Sequence, residues 1–190
     1  MCMNGLKTMK KSPTNLFSDH FFYQFSAPNA EQINTALRAE MPGDATDWSQ
    51  LCDVKVQSLN AEKYIELIGP SLQLLSDSFG VKLYYECHNP WVNHYTRGQF
   101  QEVHDHKDCD LVCVYFANQG VDFSKFYFYN RHATLSPIWK NALGCNDTYV
   151  IEYDAGDIIF FPGHMLHGVT PHNSDETRIT FSANLWLSPL

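Results

Sequence analysis

The chain has 190 residues, of which 44% are hydrophobic and 18% charged, a composition typical of a globular protein rather than a disordered one. We find no repeat, low-complexity tract or long linker in it, so we expect a single domain over residues 1–190. The formal net charge of −8 disfavours a nucleic-acid partner, because a negatively charged protein has no general attraction for phosphate backbones.

The sequence also carries signals about its compartment. No stretch reaches the roughly 18 apolar residues of a membrane span, and residues 1–11 lack the apolar core of a signal peptide. Among the six cysteines, Cys109 and Cys113 are four apart and no second pair supports a zinc site. We therefore expect reduced thiols in a cytoplasmic protein with no membrane partner. The oligomeric state is not predicted by any feature of the sequence.

The first part of the chain is predicted to be helical. Residues 1–15 are polar and are expected to form an irregular arm. Apolar residues recur at helical spacing over 29–41 and again over 60–79, which predicts two helices. In the second helix Pro70 predicts a kink or a restart, and Gly80 suits the C-terminal cap.

After Gly80 the hydrophobic period changes to two, which predicts strands. Turn residues such as Asn89-Pro90 separate the segments. Helices followed by about seven strands predict an α+β protein in which the helices brace one face of a sandwich. Among sandwiches we favour a jelly roll (double-stranded β-helix) over 81–187, although periodicity does not fix the strand order. The predicted strands are Val81–Cys87, Trp91–Tyr95, Leu111–Phe116, Phe123–Tyr129, Thr148–Tyr153, Asp157–Phe161 and Arg178–Leu187.

Three histidines form the candidate chemical site. His104 and His106 are two apart, so in an extended segment both rings project from the same face and can converge on one ion. His167 follows a predicted strand and turn some sixty residues later. A close pair with one distant ligand, leaving open positions, is typical of a catalytic non-haem iron site. His164, in the turn before His167, is an alternative ligand, and the other histidines are expected to be ordinary hydrogen-bonded residues.

Two longer patterns surround these histidines. The first runs Tyr95-x-x-Gly98-x-Phe100-x-x-x-His104-x-His106, and the second runs Gly156-Asp157-Ile-Ile-Phe-Phe-Pro162-Gly163-x-x-x-His167, followed by Arg178-Ile179-Thr180. Together they resemble the core of the Fe(II)/2-oxoglutarate-dependent oxygenases, over roughly residues 91–187. More narrowly, they resemble the prolyl-hydroxylase-like 2OG-Fe(II) oxygenases of marine bacteria and their phages.

The resemblance implies an activity and a set of site residues. The enzyme would couple oxidative decarboxylation of 2-oxoglutarate to hydroxylation of a small molecule or a protein side chain. His104, His106 and His167 would be the metal ligands. Arg178 would pair with the distal carboxylate of 2-oxoglutarate, for which a guanidinium fork is well shaped. Thr180 and Tyr95 would hydrogen-bond the same cosubstrate.

The sequence departs from the family pattern in two places. Most of the superfamily has a carboxylate two residues after the first histidine, whereas this chain has His106. A literal H-x-D occurs one step later as His106-Lys107-Asp108, so Asp108 is an alternative ligand. In addition, Phe116 stands where relatives often have a tyrosine that touches 2-oxoglutarate.

Other interpretations remain open from the sequence. Arg178 could instead form a surface ion pair with Asp175 or Glu176. A cupin-type metal enzyme would use the same histidines without 2-oxoglutarate. A non-catalytic jelly-roll binding module would use neither the histidines nor 2-oxoglutarate. The region 117–147, including Arg131, His132 and Trp139, is a candidate for substrate contacts.

Overall fold

The computed structural model describes residues 20–41, 46–47, 54–131, 136–142, 144 and 146–190. The predicted arm at 1–15 lies outside these residues, as do Cys2, Cys52, Cys145 and His132. Along the chain the elements are β1 (Tyr23–Ser26), α1 (Ala30–Arg38), β2 (Thr46–Asp47), β3 (Lys55–Ser58), α2 (Ala61–Phe79), β4 (Leu83–Tyr95), β5 (Gln101–His104), β6 (Leu111–Phe116), β7 (Phe126–Tyr129), α3 (Pro137–Asn141), β8 (Thr148–Val150), β9 (Asp157–Pro162), β10 (His167–Val169) and β11 (Arg178–Pro189).

The strands form two antiparallel sheets. The larger sheet has seven strands in the order β1-β9-β6-β11-β4-β3-β2, and the smaller has four in the order β5-β10-β7-β8. Helices α1 and α2 pack against the outer face of the larger sheet, while the smaller sheet covers its other face. The α+β sandwich with bracing helices is therefore as predicted.

The central strands β6 and β9 are buried on both faces, which explains their continuous apolar sequences. In β6, Leu111, Cys113 and Tyr115 pack towards the helices, whereas alternate residues Val112 and Val114 face the smaller sheet. Two hydrophobic clusters result, one beneath the helices and one between the sheets. The second cluster forms the wall of the candidate site.

The prediction of two strands separated by an Asn89-Pro90 turn was wrong. The structure has one long strand, β4, which pairs with β11 along its whole length. Asn89 has a positive φ of 47°, and the pairing with β11 shifts between Ser182 and Asn184. The turn-forming residues thus make a bulge inside a strand, because pairing on both sides of it holds the strand together.

The two predicted helices are confirmed, with small differences. α2 runs through Pro70 without a break, and Gly80 ends it in the left-handed conformation with φ 71°. α1 is shorter than the predicted 29–41. No helix in the described part of the chain is long and apolar enough to cross a membrane.

Several strands differ from the prediction. β7 and β8 are shorter than their predicted segments. Five short strands, β1, β2, β3, β5 and β10, were not predicted, since each has at most four residues and carries little periodicity. Two of these five, β5 and β10, carry the candidate ligands His104 and His167.

Candidate metal centre

The structure brings His104, His106 and His167 together. β5 and β10 pair antiparallel, and His104 and His167 are directly opposite each other in this pairing. One potential ligand atom from each of the three histidines lies within 4.8 Å of the others. Three imidazoles at this spacing, with space for further ligands, can hold one divalent transition metal.

A close contact between two loops positions His106. The backbone N–H of His106 donates to the carbonyl of Gly163 at 2.7 Å, and the N–H of Gly163 donates to the carbonyl of Asp110 at 3.2 Å. A Cβ at Gly163 would collide with the carbonyl oxygens of His106 and Cys109. Glycine is therefore required there for the loop after β5 to reach the end of β9.

Backbone carbonyls orient two of the three rings. Nδ1 of His104 is 2.8 Å from the carbonyl oxygen of Glu102, and Nδ1 of His167 is 2.9 Å from that of Met165. A carbonyl can only accept, so each Nδ1 carries the proton and donates. Nε2 is then the unprotonated nitrogen, whose lone pair can bind a metal, as is usual in a ligating histidine.

Burial keeps the three imidazoles uncharged near neutral pH. It lowers the pKa of His104, lowers that of His106 to about 4, and lowers that of His167 well below its usual range. The positive charge of a neighbouring imidazolium lowers the pKa values of His106 and His167 further. Neutral histidines are the form that binds a metal ion.

Aromatic rings surround the histidines. Phe126 stacks on His167 with ring centroids 5.4 Å apart, and Phe161 meets the same ring edge-on at 4.8 Å. Trp91, from β4, stacks on His106 at 5.7 Å. These rings restrict water around the histidines and hold the ring planes in place.

A buried guanidinium lies in the same cavity as the histidines. Arg178 is only 1% exposed, and its Nε donates to the hydroxyl of Tyr153 at 3.0 Å. Its two terminal nitrogens are buried and have no hydrogen-bond partner among the residues that the structure describes. A buried charge without a counter-charge is costly, so this fork is suited to an incoming carboxylate.

Three aromatic rings surround the guanidinium. Its central carbon lies 4.9 Å from the centre of the Tyr95 ring and 5.7 Å from those of Phe116 and Tyr153. Phe116 and Tyr153 stack with centroids 3.9 Å apart. Sequence reasoning missed Tyr153, because it placed this residue at the end of a strand and saw no motif around it. The structure puts the Tyr153 hydroxyl beside the ring of Phe116.

The expected cosubstrate residues line the same narrow cavity. Tyr95, Thr180 and Arg178 line it together with the three histidines. Its free volume is about 20 Å³, roughly the room that one water molecule needs. A dicarboxylate therefore requires the lining side chains to move apart. The chemistry of the lining suits an iron ion and a dicarboxylate. Neutral imidazoles can bind the metal, and the guanidinium of Arg178 in the same cavity can bind a carboxylate.

The alternative ligands lie elsewhere. His164 is exposed, and its ring meets that of His20 at 5.3 Å. Asp108 is exposed in a turn, and neither residue belongs to the group of three. The alternative surface ion pair for Arg178 is wrong, because Arg178 is buried and Asp175 pairs with Arg97 at 2.7 Å.

A larger cavity of about 920 Å³ lies beside the histidines. It is lined by Asp105, between the two proximal histidines, and by Met165, whose carbonyl orients His167. Arg131, one of the predicted substrate-contact residues, also lines it. The side chain of Trp139, in α3, is outside the described part of the chain.

Comparison with protein families gives one match. The family model described as "Putative 2OG-Fe(II) oxygenase" matches residues 89–184, which is half of the chain. This region contains all six residues expected to bind metal or cosubstrate. No curated protein matches the chain in sequence.

Several solved structures share the fold. An oxidoreductase of the 2OG-Fe(II) oxygenase family from Burkholderia pseudomallei has a TM-score of 0.64 and 13% identity, with 87% of this chain and 84% of that chain covered. A Pseudomonas putida prolyl-4-hydroxylase has a TM-score of 0.62 and 14% identity, with 88% and 92% covered. HygX from Streptomyces hygroscopicus, crystallised with nickel and 2-oxoglutarate, has a TM-score of 0.64 and 9% identity, with 88% and 83% covered. At these identities the likeness establishes the jelly-roll fold alone.

Proposed function

Because the chain belongs to the 2OG-Fe(II) oxygenase family, and is an enzyme that depends on Fe(II) and 2-oxoglutarate, we propose that three histidines hold its iron and that Arg178 binds its cosubstrate. The histidines are His104, His106 and His167, and the bound group is the distal carboxylate of 2-oxoglutarate. The reaction is the hydroxylation of a substrate coupled to decarboxylation of 2-oxoglutarate.

One observation carries the assignment of these residues. A fully buried guanidinium, whose two terminal nitrogens have no hydrogen-bond partner among the described residues, shares a cavity with three neutral imidazoles that each bring one potential ligand atom within 4.8 Å of the others. A buried charge without a counter-charge is costly, and three converging neutral imidazoles are a typical donor set for a transition metal. A metal ion at the histidines and a dicarboxylate reaching to Arg178 satisfy both groups together.

When bound, Fe(II) supplies the oxidative chemistry, in which 2-oxoglutarate is converted to succinate and carbon dioxide as the substrate is hydroxylated. The chain supplies binding, orientation and a partly dry site. Glu102 and Met165 fix two ligand rings through their carbonyls, and Phe126 and Phe161 restrict water around His167. The protein thereby fixes where the metal sits and which positions around it stay open.

The residues around Arg178 orient its fork. Tyr153 engages Nε, so the two terminal nitrogens are the ones left for a carboxylate. Thr180 lies on the same face of β11 as Arg178, and Tyr95 pairs with Arg178 across β4 and β11. We propose that Thr180 donates a hydrogen bond to the cosubstrate, and that Tyr95 donates one when its hydroxyl turns away from Oε1 of Gln101, to which it donates at 2.7 Å. Tyr153 compensates for the hydroxyl that Phe116 lacks, because its hydroxyl reaches the guanidinium from the neighbouring ring.

The substrate is a small molecule or a protein side chain. We propose that it enters through the cavity of about 920 Å³, which borders the loop that carries His106 and is lined by both charged and aromatic residues. The net charge of −8 makes nucleic acid an unsuitable substrate. We also propose that the enzyme is a single-domain cytoplasmic protein, since the three cysteines in the described part of the chain, Cys87, Cys109 and Cys113, are free thiols, as expected in a reducing compartment.

The two rival interpretations leave features unexplained. A cupin-type metal enzyme would use the histidines but would leave the guanidinium of Arg178 buried and unpaired. A non-catalytic binding module would leave the convergence of the three imidazoles unexplained as well. Formation of succinate distinguishes the oxygenase from both.

The test is metal content and succinate formation in matched variants. Wild type should bind about one Fe(II), or Mn(II) in its place, per chain and should release succinate from 2-oxoglutarate. His104→Ala should lose both, and Asp108→Asn, two positions beyond His106, is the control that should keep both. Loss of metal in Asp108→Asn with metal retained in His104→Ala would shift the ligand set to His106 and Asp108.

A further inference from the structure

Next to Arg178 and the histidines lies a buried polar cluster in which two residues, Asn93 and Ser182, have no role in the function proposed above. It consists of Trp91 and Asn93 on β4, and Thr180 and Ser182 on β11. Asn93, Thr180 and Ser182 are 3%, 2% and 2% exposed, and all four residues line the cavity of the metal site. Three buried polar side chains at one place require a hydrogen-bonding explanation.

The direction of every hydrogen bond in this cluster is fixed by chemistry. The indole N–H of Trp91 can only donate, and it lies 3.1 Å from Oδ1 of Asn93. The amide oxygen of Asn93 is therefore turned towards Trp91. Its Nδ2 donates one hydrogen to the hydroxyl oxygen of Thr180 at 3.2 Å and the other to that of Ser182 at 3.3 Å. Trp91 thus decides the orientation of the amide.

The two hydroxyl groups are left with protons to donate. Each hydroxyl has one hydrogen, and each oxygen already accepts from Asn93. Within the described part of the chain, neither hydroxyl donates to any acceptor. Both therefore present donors to the cavity, as do the terminal nitrogens of Arg178. The face of β11 that carries Arg178, Thr180 and Ser182 is a row of hydrogen-bond donors for a ligand rich in acceptors.

The strand pairing orders this row between the two parts of the site. Arg178 is opposite Tyr95 across β4, whereas Ser182 is opposite Trp91. The ring of Trp91 stacks on His106 at 5.7 Å, so Ser182 lies towards the metal ligands. Alternate residues on a strand are about 6.7 Å apart, and Thr180 therefore lies between Arg178 and Ser182.

We propose that Ser182 donates a hydrogen bond to the 2-oxo-acid end of the cosubstrate and that Asn93, held by Trp91, is the residue that positions it. This inference rests on the proposed function, since it takes 2-oxoglutarate as the ligand. Ser182 is a binding residue and Asn93 is a positioning residue that acts through the two hydroxyls. The distal carboxylate belongs to Arg178 and Thr180.

The test measures binding, without turnover, by titrating 2-oxoglutarate into Mn(II)-loaded protein under anaerobic conditions in a calorimeter. Ser182→Ala should raise the Kd about 10-fold or more, as expected for a hydrogen bond to a charged group. Ser182→Thr keeps the hydroxyl and should restore most of the affinity. Ser71→Ala is the matched control, because Ser71 is a fully buried serine in α2, outside the cavity.

Two further measurements extend the test. One asks whether Asn93 acts by positioning the hydroxyls, and the other asks which end of the ligand Ser182 contacts. Trp91→Phe keeps a ring beside His106 but frees the amide of Asn93 to rotate, so it should also weaken 2-oxoglutarate binding several-fold with Mn(II) content unchanged. Butanoate keeps the distal carboxylate but lacks the whole 2-oxo-acid end, so it should bind Ser182→Ala as it binds wild type; its weak affinities are measured by competition against 2-oxoglutarate.

The outcomes distinguish this inference from the proposed function. Unchanged 2-oxoglutarate affinity in a folded Ser182→Ala protein, with affinity lost in Arg178→Ala, would overturn the role of Ser182 and leave the proposed function standing. An equal loss of butanoate and 2-oxoglutarate affinity in Ser182→Ala would overturn the assignment of Ser182 to the 2-oxo-acid end. Failure of the Mn(II)-loaded wild type to bind 2-oxoglutarate would overturn both.

Discussion

Replacing Arg178 by methionine should raise the free energy of unfolding of the cosubstrate-free protein. The same change should abolish the additional stabilisation that 2-oxoglutarate gives. In the cosubstrate-free cavity, the two buried terminal nitrogens lack partners within the described ranges of the chain, and each unsatisfied donor costs about 1–3 kcal/mol. The contacts with three aromatic rings and the bond to Tyr153 offset part of this cost, by roughly 2–3 kcal/mol together. The void left by the shorter methionine side chain offsets up to about 1 kcal/mol more.

The net gain is about 1–2 kcal/mol, in the range seen when buried charges are replaced by apolar residues. For a chain of this size, that gain corresponds to a rise in Tm of about 2–8 °C. The assay is thermal unfolding of Mn(II)-loaded protein with and without 2-oxoglutarate. At 100 times its Kd, the cosubstrate should stabilise wild type by about 2.7 kcal/mol and leave Arg178→Met unchanged.

Arg97→Met is the control, because Arg97 is exposed and pairs with Asp175 at the surface. It should shift the Tm by little and keep the response to 2-oxoglutarate. A marked fall in the Tm of Arg178→Met without cosubstrate would refute the reasoning, since it would mean that the guanidinium is satisfied in the empty cavity. A retained response to 2-oxoglutarate would remove Arg178 from the cosubstrate site.

Three further predictions concern the same cavity. His167→Ala should lose the bound metal, whereas His164→Ala, three residues away and exposed, should keep it; equal metal content in the two variants would remove His167 from the site. Tyr153→Phe should weaken 2-oxoglutarate binding by about 1 kcal/mol, the value of one hydrogen bond, and leave metal content unchanged; an unchanged Kd in calorimetry would show that the hydroxyl does not orient Arg178. Metal-free protein should lose stability as the pH falls from about 6.5 towards 4, because burial lowers the pKa of folded His106 to about 4, so protons bind the unfolded chain more tightly. The loss from His106 should approach roughly 3 kcal/mol in denaturant titrations, and His106→Asn should flatten the pH dependence.

Much of the fold could be predicted from hydrophobic periodicity. Long segments with a strong pattern, such as α2 and the buried strands β6, β9 and β11, were found because their burial shows directly in the sequence. The strands β5 and β10 were missed as elements, because three or four residues with polar side chains on the inner face have no detectable period. At Asn89-Pro90 the signal in the sequence was instead strong but misleading. Both residues are typical of turns, but pairing with β11 on either side keeps them inside one strand as a bulge.

Some residues of the candidate site could be predicted from the sequence and others could not. His104, His106, His167 and Arg178 were found because they stand at fixed spacings within a family pattern. Tyr153 and Ser182 could not be found from spacing alone, since their roles depend on which side chains meet across the cavity. Tyr153 lies outside any strand, and it reaches Arg178 only through the stacking of its ring on Phe116.

The central claim is that one cavity holds a metal ion at three histidines and a dicarboxylate at Arg178. A crystal structure of the protein with Mn(II) and 2-oxoglutarate, grown without oxygen and measured for anomalous scattering, tests it most directly. The account predicts one anomalous peak bonded to the Nε2 atoms of His104, His106 and His167, and density for 2-oxoglutarate with its distal carboxylate on the terminal nitrogens of Arg178. A peak bonded to Asp108 or His164, or a cosubstrate lying away from Arg178, would contradict it.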